Sequence, residues 1–175
     1  SASSWYLSST PTGNINSTGY FPEGFLSNDL SYGFNRAKLA WYVIDPLFQR
    51  NSSITPSHIV DDSDQQENNY VREVLITEIF PNKDIVNGQP SRLRTFDLAF
   101  YPSERGPYNF DVTPSSYSSG INADGFLNEP SSRWGGIMRE IETNDFEAAN
   151  IEFIEFWMMD PFLDDPNTIE DESMQ

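Results

Sequence analysis

The stretch IEFIEFWMM, from Ile151 to Met159, is the strongest strand signal in the chain. Its apolar side chains alternate onto both sides, with Ile151, Phe153 and Trp157 on one and Ile154, Phe156 and Met158 on the other. A strand that is apolar on both sides belongs in the middle of a sheet. Only 16 of the 175 residues follow Met159, which leaves open that its second neighbour lies outside these residues.

Two more segments have the alternation and the β-favouring residues of strands. Arg36 to Ile44 (RAKLAWYVI) is followed by Pro46, and Arg94 to Tyr101 (RTFDLAFY) is followed by Pro102. The second segment has three apolar side chains at a period of two, which predicts a half-buried strand: Phe96, Leu98 and Phe100.

Three further segments are shorter or ambiguous. Gly136 to Glu142 is predicted as a short strand after Trp134, where paired glycines allow a close backbone approach. Tyr70 to Phe80 fits both periods and is interpreted as a helix that ends before a proline. The segment 143–150 is predicted to be a turn or a single helical turn, with Thr143 as its N-cap.

Short strands separated by Gly, Pro and Asn predict a mainly β fold. The specific expectation is an antiparallel β-sandwich, jelly-roll-like, with long loops and one or two short helices. Residues 1–35 are predicted to be a loop-rich segment with aromatic anchors. Residues 36–163 would form the sandwich, which leaves open that strands outside these 175 residues complete it. Residues 164–175 would form an acidic C-terminal tail.

The charge balance excludes some partners. Ten Lys and Arg against 27 Asp and Glu give a net charge of −17, so a basic face for nucleic acid or for an anionic membrane surface is not expected. The absence of cysteine excludes disulfides, zinc–thiolate sites and cysteine nucleophiles. No run of residues is apolar for long enough to predict a membrane helix.

Motifs for catalysis are lacking. His58 is the only histidine and lies in a polar connector, and the chain has no GxSxG, GxGxxG, GxxxxGK[ST] or HExxH sequence. An EF-hand reading that starts at Gly120 fits Asn122, Asp124 and Gly125 but fails at both ends, at Gly120 and Ser131. The sequence therefore predicts no enzyme, no cofactor and no metal site.

Three aromatic residues in loops, Tyr108, Tyr117 and Trp134, are candidates for a platform that stacks on sugar rings. Core packing is the better expectation for Trp134 because of the glycines beside it. A carbohydrate-binding or adhesin-type module therefore stays as an alternative function.

Four longer sequence segments resemble those of a known family. They are LAWYVIDPLFQR (39–50), YVREVLITEIFPNKD (70–84), YPSERGPYNF (101–110) and RWGGIMREIETNDFEAANIEFIEFWMMDPF (133–162). Together they are similar to the SprA (Sov) family, the giant outer-membrane translocon proteins of type IX secretion and gliding motility in Bacteroidetes. The likeness spans nearly all of 36–165, in the family's order.

The resemblance implies a fragment of a much longer polypeptide that transports proteins. The predicted strands are too short and too polar to be transmembrane strands of a β-barrel. The expectation is therefore a soluble accessory domain with a scaffold, cap or cargo-facing role. Implied partners are the β-barrel of the same chain, outer-membrane secretion partners and secreted cargo proteins. The expected location is the outer membrane at the cell surface, with a periplasmic position as the alternative.

The resemblance carries over structural residues and no catalytic ones. It implies a fixed turn at Arg105, Gly106, Pro107 and Tyr108, and a strand with close backbone approach from Trp134, Gly135 and Gly136 to Arg139. Trp157 belongs to the implied central strand. Arg139 is a candidate partner for a buried or interfacial carboxylate, and an exposed strand position is the alternative of equal weight.

Overall fold

The strands pair two by two. In the computed structural model, which describes residues 2–13, 20–141, 143 and 145–160, the strands are β1 (Tyr6–Leu7), β2 (Ala37–Tyr42), β3 (Val74–Leu75), β4 (Arg92–Leu93), β5 (Asp97–Arg105) and β6 (Ile137–Met138). The pairs are β1 with β6, β2 with β5, and β3 with β4. The first and last pairs are antiparallel, with Leu7 opposite Ile137 and Val74 opposite Leu93.

The helices are all short. The α-helices are α1 (Pro46–Gln49), α2 (Ser57–Val60), α3 (Ser63–Glu67) and α4 (Ile76–Ile79). Single 3₁₀ turns cover Ala2–Ser4, Pro22–Phe25, Leu30–Gly33 and Pro130–Ser132. No helix of the described residues is long and apolar enough to cross a membrane.

Small antiparallel sheets with short helices confirm the coarse prediction of short strands with little helix. The predicted number of one or two helices is too low for the described residues, because the connector after β2 contains α1, α2 and α3. Local chemistry explains α1: the carboxylate of Asp45 accepts a hydrogen bond from the Leu47 N–H at 2.9 Å, and Pro46 occupies the first helical position.

The chain divides into two compact units. The first unit consists of Ser1–Tyr42 and Leu98–Glu142, and the second of Val43–Asp97 and Thr143–Gln175. The first unit has few buried hydrophobic residues, namely Ala37, Leu127 and Trp134, and more buried polar ones. The hydrogen bonds of those polar residues therefore determine how its loops are held.

In the first unit, β2 confirms the predicted strand at 36–44. The position of β5 corrects the bounds of the strand predicted at 94–101. β5 begins later than predicted and continues through Pro102 to Arg105. A proline lacks the N–H needed for a ladder bond, but an edge strand tolerates it, and each strand of a two-stranded sheet is an edge. Within the predicted N-terminal segment 1–35, the Tyr32 hydroxyl accepts a hydrogen bond from the Thr10 N–H at 2.9 Å.

Two glycines of the first unit, Gly106 and Gly135, lie close to neighbouring residues. The sequence predicts a close backbone approach at the paired glycines that include Gly135, but not at Gly106. A Cβ at Gly106 would lie 2.3 Å from the Ala37 carbonyl oxygen, and one at Gly135 would lie 2.8 Å from the ring of Phe100. The Gly106 N–H donates to the Arg36 carbonyl at 3.1 Å. The strand predicted at 136–142 is limited to β6, because only Ile137 and Met138 pair with β1.

In the second unit, the helix predicted at 70–80 is mostly wrong. Val74 and Leu75 pair with β4, and only Ile76–Ile79 is helical. The Glu78 carboxylate accepts from the Leu75 N–H at 2.8 Å and so starts the helix at that point. Glu73 pairs with Arg50 and, at 2.6 Å, with Arg92, and the hydrogen bond from Arg50 is the main cause that lowers the pKa of Glu73.

The stretch Ile151–Met159 is not a strand in the second unit, contrary to the prediction. It is exposed throughout, and no described residue pairs with it as a strand. Side chains that alternate with a period of two give a chain two apolar faces, but a strand also needs a neighbouring strand for its backbone hydrogen bonds. The turn at 146–150 is confirmed; Asp145, not Thr143, accepts the Ala148 N–H at 2.8 Å. The predicted tail at 164–175 lies outside the described residues.

We expect Gly106→Ala to lower the free energy of unfolding by about 3 kcal/mol, because the new methyl group would force the Ala37 carbonyl away. Urea unfolding followed by tryptophan fluorescence measures the change. Gly125→Ala is the matched control: its φ is +89° but no atom lies within 4 Å of the added Cβ, so only about 1 kcal/mol is expected. Equal losses in both variants would contradict the close approach.

Candidate functional site

A buried arginine organises the loops of the first unit. The side chain of Arg133 is 0% exposed. Its guanidinium donates to three backbone carbonyls from two parts of the chain: Asn128 at 2.7 Å and Gly120 at 3.2 Å in the connection after β5, and Phe34 at 3.0 Å before β2. It also donates to the Ser118 hydroxyl at 2.9 Å. The planar fork of an arginine suits this task because its five N–H groups point in fixed directions.

The counter-charge to Arg133 is Asp111, whose side chain is also 0% exposed. One oxygen of the Asp111 carboxylate lies 3.4 Å from the guanidinium and accepts a short hydrogen bond from the Ser118 hydroxyl. The Asp111 N–H donates to the Asn109 side chain at 2.8 Å, and the Asn109 amide donates at 2.7 Å to the Arg36 carbonyl. This network joins residues that are far apart in the sequence.

A second carboxylate, Glu23, is fully buried beside this network. One of its oxygens accepts from the Asn35 amide at 2.7 Å, and that amide also donates to the Tyr117 carbonyl at 2.7 Å. The other Glu23 oxygen has no hydrogen-bond partner among the described residues. The Asn35 side-chain oxygen accepts from Arg133 at 3.2 Å, so Asn35 links Glu23 to the arginine without a direct ion pair.

Glu23 lies in the wall of an open cleft in the first unit, which we call the serine cleft. Its volume is about 700 Å³, and it is lined by Tyr20–Glu23, Asn35, Pro114–Ser119, Glu129 and Ser132. Its lining includes five serines and three aromatic residues, Tyr20, Phe21 and Tyr117. Two of the lining residues described, Glu23 and Glu129, carry a charge, and both are acidic.

A turn runs from Gly106 to Asn109, next to the residues Arg105–Tyr108 for which the resemblance implies one. The Asn109 N–H donates to the Gly106 carbonyl at 3.1 Å, and Tyr108 takes a positive φ of 62°. The Tyr108 ring is 72% exposed. Arg139, in contrast, is exposed, so the alternative of an exposed position is correct and the buried partner of a carboxylate is Arg133.

Trp134 is buried, as core packing predicts, and takes no part in an exposed sugar platform. It is 8% exposed, and the guanidinium of Arg36 lies 5.0 Å from its ring centroid. The ring of Phe21 packs against the ring of Trp134, with 5.9 Å between the two ring centroids. Burial lowers the pKa of Arg36, whose guanidinium also donates to the Pro107 carbonyl at 3.0 Å. The predicted trio of Tyr108, Tyr117 and Trp134 thus retains two accessible rings.

Trp157 lies in the second unit with its ring 72% exposed. Its described aromatic contact is an edge-to-face one with Phe80, at 6.1 Å between ring centroids. The central position that the resemblance implies for Trp157 is therefore not seen among the described residues.

Sequence reasoning missed the residues of the buried network: Glu23, Asn35, Asp111, Ser118 and Arg133. They come from parts of the chain that are distant in sequence, around Glu23 and Asn35 and between Asp111 and Arg133, so no local spacing joins them. The usable signal was Arg133 itself, which directly precedes the tryptophan and the paired glycines of a tightly packed segment.

No group of three or more His, Asp or Glu side chains that could hold a metal ion occurs among the described residues. What the site offers is a polar cleft with two carboxylates, serine hydroxyls and aromatic walls, which are features of a binding site. No protein-family model and no curated protein matches the chain.

We expect Arg133→Lys to cost about 3 kcal/mol in the free energy of unfolding, because a lysine keeps the charge but leaves several buried carbonyls without donors. Urea denaturation gives the value. Arg139→Lys is the control, since Arg139 is exposed, and its expected change is within about 0.5 kcal/mol. A tolerated lysine at residue 133 would show that the network does not hold the loops together.

Proposed function

We propose that this chain is an accessory domain of an outer-membrane protein-secretion channel of the type IX system, which also serves gliding motility. The observation that carries the proposal is the uncovered apolar stretch Ile151–Met159. The stretch lies in the longest segment that resembles the SprA family, residues 133–162. The resemblance supplies the identity of the channel, and the exposed stretch supplies the need for a larger assembly.

The exposure of this stretch is unusual for a protein that functions alone. Phe153 and Phe156 are each 78% exposed, Met158 is 73% exposed and Trp157 is 72% exposed. Each large aromatic side chain buries roughly 150–250 Å² when it is covered. A long apolar segment left open in water is an aggregation hazard, so a covering surface is the physically reasonable solution.

The finer fold belongs to the same proposal. Two-stranded sheets are marginal by themselves, and we propose that strands of the same long chain extend them into a β-sandwich, with Ile151–Met159 as an inner strand. The domain then acts as a scaffold, cap or cargo-facing surface beside the barrel. Its net charge of −17 reduces nonspecific adhesion of acidic and neutral segments in transit. A role at the cell surface is proposed, and no catalysis.

A photo-crosslinking amino acid at Phe156 in the full-length protein tests the proposal in cells. We expect a crosslink within the parent chain or to an outer-membrane secretion partner, since Phe156 would be covered there. Placing the same group at Ile54, which is 76% exposed in the same unit, is the matched control and should give at most weak products. Absence of any specific product from Phe156, or identical products from both positions, would contradict the proposal.

One observation favours a second function, carbohydrate binding at the cell surface. The Tyr108 ring is 72% exposed on a turn with a defined backbone conformation, which suits stacking on a sugar ring. A glycan array on the chain should then show saturable binding that Tyr108→Ala lowers about tenfold, a loss of roughly 1.4 kcal/mol. Phe110→Ala, at another exposed aromatic, is the control. No binding to any glycan would rule this function out.

A further inference from the structure

We infer that the serine cleft is a binding site for a basic side chain, lysine or arginine, of another polypeptide. The inference depends on the charges and groups of the cleft and not on the proposed function, so each can fail without the other. Three observations support it: a buried carboxylate without an ion-pair partner, a second carboxylate held in a defined position, and aromatic residues in the lining of the same cleft.

The first observation is the charge count around Glu23. Arg133 is neutralised by Asp111, with which it forms the buried ion pair. Glu23 is fully buried, and no basic residue forms an ion pair with it among those described. One of its oxygens is without a hydrogen-bond partner. A buried carboxylate in this state strongly favours an approaching cation.

The second observation is Glu129, which lines the same cleft. The Ser119 hydroxyl donates to one oxygen of its carboxylate at 2.8 Å, which orients the group. A carboxylate has about four acceptor positions, so Glu129 retains capacity for a ligand. Because the described lining contains no basic residue, the two carboxylates add their fields inside the cleft.

The third observation concerns the walls and the loop that carries the serines. The lining includes the aromatic residues Tyr20, Phe21 and Tyr117, and an aromatic face attracts cations and accommodates the methylene chain of a lysine. The Ser115 hydroxyl accepts from the N–H groups of Tyr117 and Ser118 at 3.1 and 3.2 Å, which holds the loop in shape. The walls are therefore preorganised, and this lowers the entropic cost of binding.

An organic cation fits this cleft better than a metal ion. Calcium takes six to eight oxygen ligands with several carboxylates, and no described group of three or more acidic or histidine side chains is suitable. A basic side chain needs only one or two carboxylates, and it gains from the rings as well. The charge also favours such a side chain over a neutral sugar.

The test uses the isotope-labelled full chain and two unlabelled peptides. One peptide is Ac-Gly-Ser-Lys-Ser-Gly-NH₂, and the other has norleucine in place of the lysine, which removes the charge and keeps the methylene chain. NMR titration should show saturable shifts of the amides of the serine cleft with the lysine peptide and about tenfold weaker binding with the norleucine peptide. Added salt should weaken the lysine interaction.

Variants identify the site. Glu129→Gln should weaken the binding of the lysine peptide about fivefold or more, whereas the charge-matched control Glu140→Gln, at an exposed residue, should change it less than about twofold. Glu23→Gln is compared only after circular dichroism shows an intact fold. Equal binding of the two peptides, no binding at all, or an unchanged affinity in Glu129→Gln would overturn the inference. Preferential binding of maltose or of calcium chloride in the same cleft would also overturn it.

Discussion

The first unit depends on how one buried charge is satisfied. A guanidinium without access to water costs several kcal/mol unless its N–H groups find acceptors, and Arg133 finds them in the carbonyls of Phe34, Gly120 and Asn128 and in Asp111. Each of these acceptors lies in a loop. The requirement of one side chain therefore determines how the chain before β2 meets the connection after β5, which hydrophobic burial alone would leave undetermined.

This polar centre compensates for a small hydrophobic core. Among the described residues of the first unit, the buried hydrophobic ones are Ala37, Leu127 and Trp134, and more polar residues than hydrophobic ones are buried. Amide side chains supplement this core: Asn109 bridges the carbonyls of Phe34 and Arg36, and Asn35 bridges Glu23 and Tyr117. The same feature places the serine cleft beside a network that fixes its inner wall.

The two units differ in the kind of accessible surface that each one offers to other molecules. The first unit offers a shaped acidic cleft, whereas the second offers apolar residues of the Ile151–Met159 stretch without a described strand partner. A cleft of one charge sign selects for charged groups and raises their rate of encounter. An apolar stretch gains free energy from any surface that removes it from water. Both features are surfaces that another molecule could cover.

Local chemistry in the sequence determined a good part of this protein. Alternation and β-branched or aromatic residues identified β2, and the burial of Trp134 followed from the glycines next to it, whereas the turn at Gly106 was implied only by the family resemblance. The charge of −17 was likewise readable at once. Only the tertiary structure decided that Ile151–Met159 is without a described strand partner, that β5 continues through Pro102, and that Arg133 and not Arg139 is buried. Strand pairing and charge burial depend on residues distant in the chain, and a periodic pattern contains no information about which distant group will supply the hydrogen bond.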